Sequence, residues 1–180
     1  LSLQFAFLPD KSSLVWLPAG AALGLTYWWG YRVGLLGAGL GVTVLVSLYW
    51  GLWDLALLSA LPVMAQAGVC SALLRAARVN PQMTHWRDVV QFLAISALAA
   101  LISPFLNALI RVAYGIIPES QWQISMLHRW MGDFLGHITL GGLLLTWWNN
   151  WQMRRRDYSL LATLTLLGMA SVWMGFHIYK

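Results

Sequence analysis

Residues 55–74, LALLSALPVMAQAGVCSALL, contain no charged side chain. At about 1.5 Å per residue such a run, as a helix, crosses the roughly 30 Å hydrocarbon layer of a bilayer. A chain with several runs of this kind has no means of building a water-facing surface. Only 9% of its residues are charged and 59% are hydrophobic, where a soluble domain carries about 25% charged residues. The mean hydropathy is +0.66. The sequence therefore describes an integral membrane protein. Strands are excluded by the length of the runs and by the lack of period-two alternation.

Six apolar segments predict an all-α, polytopic transmembrane helix bundle with spans near 14–29, 33–50, 52–74, 88–112, 123–148 and 158–179. Orientation follows from arginine, which favours cytoplasmic loops. Arg75, Arg78 and Arg87 flank or occupy the loop after the third segment, and Arg154, Arg155 and Arg156 the loop after the fifth. Two helices separate these loops, so both lie on one side, the cytoplasmic one. Arg32 then also falls inside, while Lys11, Arg111, Arg129 and Lys180 fall outside. The tryptophans, 12 in number, fall mainly near the predicted segment ends, where an apolar ring with a polar edge suits the headgroup boundary. With both termini of the parent domain inside, one further helix is expected before Leu1 and one after Lys180. Residues 1–180 are accordingly expected to be a single domain, truncated at both ends, of an eight-helix bundle.

The single cysteine, Cys70, excludes a disulfide framework and a cysteine-based metal cluster. No nucleophile elbow, zinc-protease motif or phosphate loop occurs, so no enzymatic activity is expected within these residues. The net charge of +5 marks membrane sidedness and does not point to nucleic acid. The lipid bilayer is the expected partner, with a homodimer or a larger membrane assembly around it. No cofactor or metal is expected. Bis-histidine haem ligation needs two rings at one depth, and only His128 and His177 are level.

Polar residues inside the spans carry the functional reading. Arg129, Asp133 and His137 recur every four residues and form one helical stripe. A charge in lipid is unfavourable by about 2.5–3.5 kcal/mol on insertion scales, so such groups face protein or water and mark function. This cluster is expected to act as an ion pair that pins the helix, or as a proton- or ligand-responsive site opening outward. Gly132 and Gly136 lie on an adjacent face, and Gly34, Gly37, Gly39 and Gly41 crowd the second segment, where small residues allow close helix packing. Pro18, Pro62 and Pro104 are expected to bend their helices.

Two stretches resemble a known family. LVWLPAGAALGLTYWWGYRVGLLGAGLG is similar to the W-x-P-A-G … G-R-R-x-W-P-G pattern of the type-one membrane-associated sensor domains, through Trp16, Pro18, Ala19, Gly20, Arg32 and Gly37. WMGDFLGHITLGGLLLTWW resembles their later W-x-G-D-x-x-G element, through Trp130, Gly132, Asp133 and Gly136. The chain departs from the pattern at Val33, Gly34 and Leu35, and at Gly142 in place of a proline. The resemblance implies an N-terminal sensor of bacterial histidine kinases, diguanylate cyclases or phosphodiesterases, embedded in the inner membrane. An accessory subunit contacting lipids or pigments is the alternative. A transporter, which favours an inverted repeat, is a third.

Overall fold

A computed structural model describes residues 16–150 of the chain. Every regular element among them is helical: α1 (Leu17–Trp50), α2 (Trp53–Ala76), α3 (Trp86–Ala99), α4 (Ile102–Ala113), a 3₁₀ turn (Glu119–Gln121), α5 (Trp122–Gly136), a π-helical turn (His137–Gly141) and α6 (Gly142–Asn150). The sixth predicted span, His177 and the Arg154–Arg156 run lie outside the described residues.

Three helical stretches are long and apolar enough to cross a membrane: Leu17–Leu48, Trp53–Ala76 and Trp86–Ala113. The first contains a break at Gly30, whose φ of 85° and ψ of 169° favour glycine. The predicted boundary between the first two segments therefore narrows to one residue. In an unbroken helix residues 26 and 34 would lie about 12 Å apart along the axis. Here a Cβ on Gly34 would run into the backbone of Thr26. The chain turns sharply at Gly30, leaving two arms, 17–29 and 31–50, with different neighbours.

The first arm packs on α5 and α6. Trp28 Nε1 donates to the Leu144 carbonyl at 3.2 Å, and Leu144 fills the space over Gly24. The second arm packs on α2, where Met64 covers Gly39 and Leu35 meets Gly68. Small residues on both arms thus receive large ones from the facing helix, the packing by which helices associate in lipid.

The prolines act differently from one another. Pro18 sits in the first turn of α1, where its missing N–H has no intrahelical partner to lose, so it starts the helix and does not bend it. Helix α2 continues through Pro62. Pro104 breaks its helix: its ring would clash with the Ala100 carbonyl four residues back, and the segment divides at Ala100–Leu101 into α3 and α4.

Burial is inverted relative to a soluble protein. On α2, Leu57, Leu58, Leu61, Val69 and Leu73 face outward while Ser59, Gln66 and Ser71 are buried. That arrangement suits hydrocarbon, which solvates leucine and not amides. An apolar cluster of Leu23, Cys70, Leu74, Phe92 and Leu145 fills one end of the bundle. Beyond it Arg75 lies over the Tyr27 ring, 4.9 Å from its centroid, and donates to the Tyr27 carbonyl. At the opposite end Tyr114 Oη donates to Asp54 Oδ2 at 3.0 Å, and Arg111 lies 5.7 Å from the Trp50 ring centroid. The hydrogen bond to the Asp54 carboxylate raises the Tyr114 phenol above its usual range, because ionisation would set two negative charges together.

Candidate functional site: a buried amide joins Asp133 and His137 to the α3–α4 break

Asp133 is the residue the sequence singles out, and it is 7% exposed. It sits on the last turns of α5, and His137, 0% exposed, opens the π-turn one helical turn later. The direct partner of the carboxylate comes from another helix. Gln66 Nε2, on α2, donates to Asp133 Oδ2 at 3.0 Å and lies 3.4 Å from His137 Nε2. The other end of that amide is also occupied, since the Ser103 backbone N–H donates to Gln66 Oε1 at 3.1 Å. Asn107 extends the chain of bonds, donating to Ser103 Oγ at 3.1 Å and to the Ser59 carbonyl at 3.5 Å.

Gln66 is therefore the hub of the centre. Ser103 is the second residue of α4, and the first N–H groups of a helix lack intrahelical acceptors. The Pro104 break creates such a donor inside the bundle, and the Gln66 carbonyl oxygen satisfies it. One side chain thus caps α4 and binds the acid of α5.

Arg129 lies one turn before Asp133, half-buried. Its Nε is buried without a hydrogen-bond partner, and no direct ion pair joins the two. His137 Nδ1 is likewise buried without a hydrogen bond of normal geometry, beside the Ser96 carbonyl. His128 lies on α5 outside this centre, and His85 is exposed, 3.8 Å from Asp88.

The family-pattern residues form a second feature directly above. The Trp16 N–H donates to the Gly132 carbonyl at 2.9 Å. A Cβ on Gly20 would strike the Gly136 carbonyl oxygen and would lie 2.6 Å from the Gly141 nitrogen, and one on Gly136 would strike the Trp16 carbonyl. Trp16, Gly20, Gly132 and Gly136 thus converge in one backbone-to-backbone seam. Trp130 braces α5 against α3: its Nε1 donates to the Ala97 carbonyl at 2.9 Å, and its ring stacks on Phe134. Arg32 is exposed beyond Gly30, and Gly37 has open space where a Cβ would go.

Sequence reasoning missed Gln66, Ser103, Asn107 and the π-turn. The amides had a signal: each is the sole Asn or Gln within its apolar run, 55–74 and 92–110. The π-turn lies in the glycine-flanked GHITLGG stretch, and such turns recur at functional sites.

These features define a helical domain, with three stretches long and apolar enough to cross a membrane, and a buried, hydrogen-bonded polar centre against a glycine seam. The MASE1 family model matches residues 1–178, and the chain belongs to that family, the membrane-associated sensor domains of signalling proteins. No curated protein and no solved structure matches the chain.

Proposed function

We propose that the chain is the sensory input domain of a bacterial inner-membrane signalling protein, crossing the membrane six times within these residues. On this reading it passes a signal, arriving from the outer face or within the membrane, to a cytoplasmic histidine kinase or cyclic-di-GMP module. The single observation that carries the reading is the Gln66 amide shared by Asp133, His137 and the start of α4. A carboxylate and an imidazole held in a dry bundle are unfavourable to keep, and here they are wired to the break between α3 and α4. An input domain requires that link between a responsive group and a joint that can move.

The site is the cluster Asp133–His137 with Arg129 as its flanking charge, and the seam of Trp16, Gly20, Gly132 and Gly136 holds α1 against the π-turn. The test is Asp133→Asn in the full-length protein, which preserves shape and removes the charge. Output locked on or off, with the bundle still folded by circular dichroism and thermal melting, supports sensing. Normal regulated output from a folded variant removes it.

A further inference from the structure

The orientation of the Gln66 amide is fixed by chemistry. Ser103 N–H is a donor, so the Gln66 atom 3.1 Å from it must be the carbonyl oxygen. The NH₂ group then faces both Asp133 Oδ2 and His137 Nε2. His137 Nε2 can accept that hydrogen only while it carries no proton, so the imidazole is neutral with its proton on Nδ1. This assigns the tautomer of a fully buried histidine from the backbone of a different helix.

A proton arriving at Nε2 makes this arrangement untenable. The imidazolium N–H would point at the amide NH₂, donor against donor. The amide can answer by turning over, so that Oε1 accepts from His137 and the bond from Nε2 to Asp133 Oδ2 is given up. Its NH₂ would then face the Ser103 N–H, which is again donor against donor. One of the two contacts must be lost: with the amide in place it is the 3.4 Å approach to His137 Nε2, and with the amide turned over it is the Ser103 N–H, beside a helix break that Pro104 already imposes.

We propose that the centre binds one exchangeable proton at His137 Nε2, and that the Gln66 amide passes its arrival to the α3–α4 break by releasing the Ser103 N–H. The proton comes from water past Asp133, the member with residual exposure, and adds to the Nε2 lone pair. The charged side chain on the pair's own helix is Arg129, one turn before Asp133. From the packed elements α2, α3 and α4 the groups facing the pair are Gln66, Ser96 and Ser103, none of which titrates, and α1 faces this level with Gly20. Cys70, one turn below Gln66 on α2, is in the apolar cluster. The proposal deepens the reading of this centre as the sensing site by naming the ligand and the route of the signal.

The experiment is nitrogen NMR on full-length protein in lipid nanodiscs, labelled at histidine and serine, with His137 assigned through His137→Asn and Ser103 through Ser103→Ala. Near neutral pH the His137 Nε2 resonance should fall in the unprotonated range. On stepwise acidification from neutral pH the His137 signals and the Ser103 amide should shift with a common midpoint. In Gln66→Met the imidazole should still titrate while the Ser103 amide no longer follows. A proton on Nε2 at neutral pH, no titration on acidification, or a Ser103 amide indifferent to His137 overturns the proposal. The wild-type measurements decide even where the variant fails to fold. Co-titration alongside unchanged signalling in Asp133→Asn would support the switch and remove only its use in sensing.

Discussion

The Trp16 N–H reaches the Gly132 carbonyl across two helices, a backbone hydrogen bond of 2.9 Å. The same separation along the chain, 116 residues, recurs where Trp28 bonds the Leu144 carbonyl and where Gly20 meets Gly136. A constant offset over three helical turns means that the first arm of α1 runs parallel to α5 and α6, in register. The arginine distribution leads one to expect these two segments to run in the same direction, and they pack parallel.

Register this tight predicts steep sensitivity to one methyl group. Gly20→Ala and Gly136→Ala should each lower stability by about 1–3 kcal/mol, because the added carbon meets a backbone carbonyl that no rotamer change can move. Gly37→Ala and Gly41→Ala are the controls, since nothing lies where their Cβ atoms would go. Both should be neutral or gain up to about 1 kcal/mol through helix propensity. Thermal unfolding in detergent measures all four, and equal effects across the set would contradict the seam.

Trp130 tests a different contact. Trp130→Phe keeps an aromatic ring over Phe134 but removes the hydrogen bond to the Ala97 carbonyl. The expected loss is about 0.5–1.5 kcal/mol. Trp86 is 80% exposed, and Trp86→Phe should leave the melting temperature unchanged, although both residues are tryptophans near segment ends.

Much of the fold was legible because the bilayer restricts the choices. Long apolar runs marked the helices. The boundary at Gly30 was blurred because glycine-rich GYRVGLLGAG offers several places to turn, and only packing between Gly34 and Thr26 selects one. Asp133 and His137 were legible as charged or titratable groups in apolar sequence. Gln66 gave a fainter signal, since an uncharged amide does not interrupt a hydrophobic run. Its role also depends on a helix start that Pro104 creates far along the chain. The expected Arg129–Asp133 pair had the right spacing, but a residue on a neighbouring helix reaches the carboxylate first.

Sidedness has a direct test. Cys70 is fully buried, so introduced cysteines can be read against a quiet background. Gln82→Cys, in the arginine-bearing loop between α2 and α3, should resist a membrane-impermeant maleimide in intact cells. Ser120→Cys, in the exposed turn before α5, should label readily. The reverse pattern would invert the topology and place Asp133 near the cytoplasmic face.

The last prediction separates the two candidate partners of Asp133 by energy. Two double-mutant cycles share Asp133→Asn, one with Gln66→Leu and the other with Arg129→Gln. The Gln66 bond is a direct contact to a charged acceptor inside the bundle, so its coupling should be about 1–2 kcal/mol. Arg129 is half-buried and acts only through its charge, so its coupling should be smaller, under about 1 kcal/mol, and should shrink with added salt. Gln66→Leu alone should also be the most destabilising of the single changes, because it strands both a buried carboxylate and the Ser103 N–H at the start of α4. Unfolding measured at two ionic strengths distinguishes these outcomes. A larger, salt-sensitive Arg129 coupling beside a negligible Gln66 coupling would restore the ion pair as what holds Asp133 in place and would remove Gln66 as its link to α4.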